Sequence, residues 1–318
     1  MAVLLTGGAG FIGSRTAQAL LDRGFACRVV DCLTPYYRPA IKRARLVELQ
    51  RHPGFEFFEL DLRTADLSSI LDGVDVVIHL AAQPGVRASW TGFQTYVEHN
   101  VIATRRLLEA AKGRVERFVY ASSSSVYGDS LSSSTTELEP LEPVSPYGAT
   151  KLDGERLCRD IAAGEGMATV ILRYFTVFGP GQRPDMAMHR LIEAAHRQTA
   201  FPLYGTGEQV RDFTYVDDVV NATLLAATNA VPPGSVFNVA GGTPARLVDA
   251  IEVIEDLTGR SIRIDRRAVA AGDVKRTSGS TAKIAAALGW RPEYDLVSGL
   301  AEQVRWHRRH HRLLAVAA

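Results

Sequence analysis

No apolar run in this chain approaches the roughly 20 residues needed to cross a bilayer, so a membrane-spanning role is not expected. Cysteine is scarce. Cys27, Cys32 and Cys158 are odd in number and lack zinc-ligand spacing, which predicts free thiols in a reducing cytoplasm and no metal site. An excess of one charge is absent too: 36 basic side chains face 35 acidic ones, so neither nucleic acid nor an anionic membrane is indicated as a partner. A charged ligand must then be met by local groups. The opening Met1-Ala-Val-Leu-Leu5 is too short for a signal segment and reads as a first β-strand.

What is present is core and rhythm. With 318 residues and 46% hydrophobic content the chain can bury one large or two modest domains. Val3 to Thr6 is an apolar strand, followed by glycines and then by helical spacing from Ile12 to Arg23. Further strands are expected at Ala26 to Val30, Glu56 to Leu60, Val74 to Leu80, Phe118 to Ser122 and Ala168 to Arg173. Continuously apolar strands separated by helices predict an α/β fold, a doubly wound parallel sheet covered on both faces. The expected sheet domain occupies residues 1–175. Beyond it, a helix from Met186 to Arg197 and shorter segments predict a smaller substrate-binding lobe over residues 176–318. Phe213 to Val216 and Val236 to Val239, within return segments at 213–240, look like strands rejoining the sheet.

Thr6-Gly-Gly-Ala-Gly-Phe-Ile-Gly13 spaces Gly7, Gly10 and Gly13 by three, after a strand and at the start of a helix. In that Rossmann-type context the glycines let the backbone turn sharply and approach a pyrophosphate lying on the helix N-terminal amides. Asp31, at the end of the second strand, is suited to accept from a ribose 2′ hydroxyl and to repel a 2′ phosphate. NAD is therefore expected rather than NADP. Asp61, in Asp61-Leu62-Arg63, suits the adenine amino group or a turn.

Tyr147 and Lys151 lie one helical turn apart in Ser145-Pro-Tyr-Gly-Ala-Thr-Lys151. Oxidising an alcohol needs a base beside the nicotinamide. A phenol titrating near 10 is a poor base at neutral pH unless a cation favours the phenolate, and Lys151 is the expected cation. The run Tyr120-Ala-Ser-Ser-Ser-Ser-Val-Tyr-Gly128 follows an apolar strand, so its hydroxyls should emerge at the carboxyl edge of the sheet, where ligands bind.

These motifs, with His79-Leu-Ala-Ala82, Asn100, Leu172-Arg-Tyr-Phe175, Arg211-Asp-Phe-Thr-Tyr-Val-Asp217 and Gly272-Asp273, resemble the extended short-chain dehydrogenase/reductase family, specifically its NAD-dependent nucleotide-sugar epimerases and dehydratases. The resemblance spans nearly the whole chain. It implies Ser123, Tyr147 and Lys151 as the catalytic set. It also implies a cofactor site built from Gly7, Gly10, Phe11, Ile12, Gly13, Asp31, Asp61, Leu62, Leu80, Ala81, Ala82, Asn100, Tyr147, Lys151 and Tyr174. Arg211 matches an arginine that grips the nucleotide diphosphate, with Asp273 beside the substrate, and a homodimer through helices of the sheet domain is implied.

The position before Val126-Tyr127-Gly128 is Ser125, preceded by Ser124, where dehydratases and decarboxylases resemble one another in carrying an acid. Dehydration is disfavoured. Thr176, Arg183 and the following Pro-Asp-Met-Ala resemble the uronate 4-epimerases, which implies that Arg183, Thr176, Ser124 and Ser125 bind a substrate carboxylate. The expected reaction is 4-epimerisation of UDP-glucuronate to UDP-galacturonate through a 4-keto sugar, with NAD regenerated in each cycle. UDP-glucuronate decarboxylation and UDP-glucose 4-epimerisation stay open, as does a non-catalytic nucleotide-sensing role. Val269 to Gly272 lacks the arginine that related epimerases often carry there, so diphosphate binding is expected to lean on Arg211, with Lys275 or Arg276. The tail Arg305-Trp-His-Arg-Arg-His-His-Arg312 reads as an amphipathic helix with a solvated face rather than a metal or nucleic-acid site.

Overall fold

The computed structural model describes residues 1–130, 132–165, 167–269 and 272–316. The first half runs β1 (Ala2–Thr6), α1 (Phe11–Asp22), β2 (Ala26–Asp31), α2 (Pro39–Leu49), β3 (Phe55–Glu59), β4 (Val76–His79), α3 (Phe93–Val97), α4 (Ala103–Ala111), β5 (Arg117–Ser123), α5 (Pro146–Glu165) and β6 (Ala168–Tyr174). A π-helical turn, Glu98–Ile102, joins α3 to α4. Then follow β7 (Thr176–Phe178), α6 (Ala187–Arg197), β8 (Ala200–Tyr204), β9 (Val210–Arg211), β10 (Phe213–Tyr215), α7 (Val216–Thr228), β11 (Ser235–Val239), β12 (Ala245–Arg246), α8 (Leu247–Thr258), β13 (Arg263–Arg267), α9 (Ala282–Leu288) and α10 (Leu296–Val316).

Seven strands form one parallel sheet in the order β11-β6-β5-β4-β1-β2-β3. The connections run outward from β1 in both directions, so the strand order reverses between β1 and β4. A crevice opens beyond the carboxyl ends of those two strands. Val3, Leu4 and Leu5 of β1 and Val77 and Ile78 of β4 are fully buried, as strands covered on both faces by helices must be. The burial cannot alternate there, which is why these strands read as unbroken apolar runs.

Only one of the two expected return segments rejoins the sheet. Ser235–Val239 pairs with β6, but Phe213–Tyr215 pairs with β7 in a separate two-stranded ladder. β8 and β13 make another parallel pair. That pairing has no visible pattern in the sequence, because β13 is exposed along its length and β8 contains Pro202. A second core, with Leu191, Ile192, Phe213, Ile254 and Leu300 among its members, joins α6, α8 and α10 beside the sheet. Among the described residues no helix is long and apolar enough to cross a membrane.

Candidate active site

The β1–α1 turn shows why glycine is needed. Gly7 adopts φ +72°, and a Cβ there would meet the Ala81 amide nitrogen at 2.7 Å. A Cβ on Gly13 would stand 2.2 Å from the Gly7 carbonyl oxygen. Any side chain at either position would force the turn off β4 and off the first turn of α1. The turn is closed by Gly7 N–H donating to the Val30 carbonyl at 2.7 Å and Gly10 N–H donating to the Gly7 carbonyl at 3.0 Å. The first amides of α1 have no intrahelical acceptor, and Gly10, Phe11, Ile12 and Gly13 line the crevice beside them. This is a cradle shaped for a phosphate group.

Opposite stands Asp31, whose carboxylate accepts from the amides of Ala9 at 3.2 Å and Leu33 at 2.8 Å. Lys42 of α2, unremarked in the sequence, lies with its ammonium 3.9 Å from the same carboxylate. Burial lowers the Lys42 pKa, and Asp31 pulls it back. Leu62, Leu80, Ala81, Ala82 and Tyr174 line the same crevice. Asp61 lines it too, gripped by Arg63, whose hydrogen bonds lower the carboxyl pKa. His79 fastens the floor by bonding Thr6 at 2.6 Å and Thr104 at 2.9 Å, and its burial pushes its pKa down to about 3, so the ring is neutral.

Asn100 is not at the crevice wall. Its amide is spent on the backbone of Gln83, at 2.7 and 3.1 Å, and on the Thr150 hydroxyl at 3.0 Å. It pins the loop after β4 to α5, and so acts on the crevice through Gln83.

α5 delivers the expected acid–base residues. Pro146 occupies its first turn and the Ser145 hydroxyl accepts from the Gly148 amide at 3.1 Å, which starts the helix immediately before Tyr147. Gly148 and Gly154 allow α5 to press onto β5, since a Cβ on them would meet the Ser125 carbonyl oxygen at 2.5 Å and the Tyr120 hydroxyl at 2.1 Å. Tyr147 and Lys151 both reach the crevice. Lys151 donates to the Ala121 carbonyl at 2.8 Å, and burial lowers its pKa to about 8.

Here one expectation is corrected. Burial raises the Tyr147 pKa, and the charge that opposes this is the guanidinium of Arg183, helped by a hydrogen bond from Ser123. The Lys151 ammonium is instead held by the Ala121 carbonyl. Arg183 comes from the loop between β7 and α6, about 30 residues beyond Lys151 by position, and no local spacing connects the two. Its guanidinium forks the Asp185 carboxylate at 3.0 and 2.9 Å and lies 6.0 Å from the centre of the Tyr36 ring.

Ser123 ends β5 and accepts from the Ser125 amide at 3.1 Å. The next residues face a second, smaller cleft of about 170 Å³ lined by Ser124, Ser125, Thr176, Arg211 and Asp273. The expected carboxylate-binding group is thus divided. Arg183 stands in the first cleft with Tyr147, whereas Thr176 and the two serines stand in the second. Arg211 pairs with Asp273 at 2.5 Å, and Arg87, which no motif signalled, pairs with the same carboxylate at 3.3 Å. Arg87 supplies the cation missing from the segment before Gly272; Lys275 and Arg276 do not line this cleft and instead donate their amides to Asp129.

Beneath both clefts runs a buried polar network. Glu155, one turn after Lys151, accepts from the Ser122 hydroxyl at 2.6 Å and from Arg173 at 2.8 and 2.7 Å. Arg173 also donates to the Tyr127 hydroxyl at 2.8 Å, which donates to Asn238 at 2.7 Å. α5, β5, β6 and β11 are therefore locked in one register behind the catalytic side chains.

The model of the "NAD dependent epimerase/dehydratase family" matches residues 3–240. The chain is 40% identical over 312 residues to the uncharacterized UDP-glucose epimerase YtcB of Bacillus subtilis (strain 168), covering 96% of this chain and 98% of that one. It is 36% identical over 317 residues to the UDP-glucuronate 4-epimerase of Thermodesulfobacterium geofontis (strain OPF15), covering 98% and 97%. Among solved structures, the UDP-glucuronic acid 4-epimerase from Bacillus cereus, in complex with UDP-glucuronic acid and NAD, superposes with a TM-score of 0.94 at 38% identity, covering 97% of this chain and 99% of that one.

Proposed function

The chain belongs to the NAD dependent epimerase/dehydratase family, and from that premise we propose that it interconverts UDP-glucuronate and UDP-galacturonate by NAD-dependent inversion at C4 of the sugar. The observation that carries the choice of a uronate is Arg183: a permanently charged fork beside the Tyr147 phenol, in the cofactor crevice, suits a substrate that carries a carboxylate next to its reacting carbon.

The crevice fits NAD on its own features. Gly7 and Gly13 leave room that any Cβ would fill, the α1 amides face that room, and Asp31 lies at the strand end suited to a ribose hydroxyl. NAD supplies, when bound, an acceptor for the C4 hydride that can give it back to the opposite face of the 4-keto sugar. Tyr147 takes the proton from O4 in one direction and returns it in the other. Ser123 holds the phenolic oxygen in line. Lys151, anchored on Ala121, would hold the nicotinamide ribose. Arg211 and Arg87, which share the Asp273 carboxylate, offer charge to the diphosphate, and Ser124, Ser125 and Thr176 offer hydroxyls to the sugar. Arg183 has two roles: it grips the carboxylate, and its charge favours the Tyr147 phenolate.

The test is proton NMR of the purified protein with UDP-glucuronate in one tube and UDP-glucose in another, without added NAD. UDP-galacturonate without pentose is the expected product. Pentose would make the enzyme a decarboxylase, and turnover of UDP-glucose alone would remove Arg183 and Thr176 from substrate recognition. In the same assay Arg183→Ala should raise the KM for UDP-glucuronate by about 30-fold or more, the 2 kcal/mol or so of a charge-assisted pair. NAD affinity should change far less. The acid limb of the pH profile should move to higher pH, because a cation that lowers the Tyr147 pKa is gone. Equal losses for NAD and substrate would sink this role.

The protein is further read as a cytoplasmic homodimer joined through helices of the sheet domain, where Phe93 and Ile102 present exposed apolar side chains. Light scattering that gave a single-chain mass of 34.6 kDa at micromolar concentration would remove the dimer.

A further inference from the structure

The tail expected to be an amphipathic helix with a solvated face puts one of its histidines inside the protein. His307 of α10 is 1% exposed and faces α6, where His189 and Glu193 stand one turn apart. The His307 Nε2 lies 3.1 Å from Glu193 Oε2, and the rings of His189 and His307 are 5.0 Å apart. One ligand atom from each of the three side chains falls within 4.8 Å of the others. From this we propose that His189, Glu193 and His307 form a binding site for a divalent transition-metal ion, zinc by its ligand set of two imidazoles and a carboxylate.

Two features support the site independently of the spacing. His189 is 6% exposed and its Nδ1 is buried without a hydrogen-bond partner, a state that costs stability unless something accepts the lone pair or the proton. A surface cleft of about 320 Å³ reaches both His189 and Glu193, which gives an ion a route in and a water a place to complete four ligands.

The three ligand atoms, within 4.8 Å of one another, must close by up to about 1.4 Å around an ion, and the His307–Glu193 contact needs the least adjustment. A tetrahedral zinc with bonds near 2.0–2.1 Å keeps its ligand atoms about 3.4 Å apart, so an ion entering between His307 and Glu193 widens their contact by a few tenths of an ångström. Glu193 can serve without leaving Arg197, because Arg197 pairs with its other oxygen, Oε1.

The ion would tie α10 to α6 just behind the substrate loop. The His189 amide donates to Gln182 Oε1 at 2.9 Å, and Gln303, one turn before His307, donates to the same oxygen at 3.0 Å. Gln182 precedes Arg183. The site is therefore structural, remote from the reacting carbon but continuous with the segment that presents Arg183.

The experiment is titration of the chelator-treated full chain with Zn²⁺ by calorimetry, and with Co²⁺ by visible absorption. One zinc per chain and the visible bands of a four-coordinate cobalt are expected. His307→Gln and, separately, the partly exposed Glu193→Gln should weaken zinc by at least the roughly 10- to 100-fold that loss of an outer-shell partner costs. The tail pair His310→Asn with His311→Asn should leave affinity within about threefold. Zinc should also raise the unfolding temperature of the parent chain and not that of Glu193→Gln. Absence of stoichiometric binding at 1 mM Zn²⁺ (an about 4 kcal/mol threshold), binding unchanged in both Glu193→Gln and His307→Gln, or binding lost only in the tail pair would each overturn the site.

Discussion

Tyr147→Phe is expected to lower the turnover of UDP-glucuronate by about 10²–10⁴-fold, the usual contribution of a positioned acid–base group. The substitution removes one oxygen and keeps the ring, which packs edge-on against Tyr96 with centres 6.3 Å apart. The fold and the crevice should therefore survive, and NAD should still copurify. Two neighbours act on that oxygen against the effect of burial. Burial alone would raise the Tyr147 pKa and keep the phenol protonated; Arg183 and Ser123 pull it the other way. Such an arrangement has no structural purpose, because a buried phenol is cheapest when neutral and simply hydrogen-bonded. Single-turnover loss of UDP-glucuronate followed by NMR is the check. A variant that retained a tenth of the parent rate would move the base to another group.

Glu155→Ala should be the most destabilising single change near the site, by about 3–5 kcal/mol, because it leaves the Arg173 guanidinium buried without its counter-charge. Both side chains are 0% exposed, so water cannot compensate. Ser122 loses its acceptor as well. For a chain of 318 residues the unfolding entropy is large, and this loss corresponds to a drop in Tm of about 5–8 °C. The pair's own net worth is smaller than the cost of breaking it. The double change Glu155→Leu with Arg173→Met should accordingly recover a good part of the loss, though it leaves Tyr127 with only Asn238. Calorimetric unfolding of the single and double variants decides the matter: a single variant within about 1 kcal/mol of the parent would mean that water or a neighbour reaches Arg173.

The two predictions separate groups that lie about two helical turns apart on α5. Tyr147 should matter to rate and hardly to stability. Glu155 should matter to stability first and to rate through the placement of Ser123 and Lys151. The buried network explains why: it touches no cavity wall through Glu155 or Arg173, yet it joins the strand that ends in Ser123 to the helix that carries Tyr147.

Much of this site was legible along the chain because its parts are local. A glycine turn, an acid at a strand end and a tyrosine one helical turn before a lysine each declare themselves within a few residues, since backbone geometry and the 3.6-residue period determine where those side chains go. The parallel sheet was legible for the same kind of reason: strands buried on both faces must be apolar throughout. Element ends shifted by only one or two residues, within the usual fraying of helix and strand termini.

Other features depended on contacts between distant segments, and these only the tertiary structure decided. Phe213–Tyr215 has the composition of a core strand, but its partner is Thr176–Phe178, because strand pairing is a choice among edges that composition does not rank. Arg87 and Lys42 are ordinary basic residues in sequence, and Arg183 was expected only as a carboxylate ligand; their further roles come from lying 3.3 Å from Asp273, 3.9 Å from Asp31 and beside Tyr147. His307 shows the same rule most sharply. The tail reads as an amphipathic helix, which does not say which of its histidines is buried, and His307 is buried because the face of α10 that packs on α6 includes it. The sequence by itself determined the sheet, the cofactor turn and the acid–base pair, all properties of short segments with strong periodic or steric preferences. Which charge reaches which group, and which histidine is taken out of water, was decided by packing, since electrostatic effects follow distance through space and not separation along the chain.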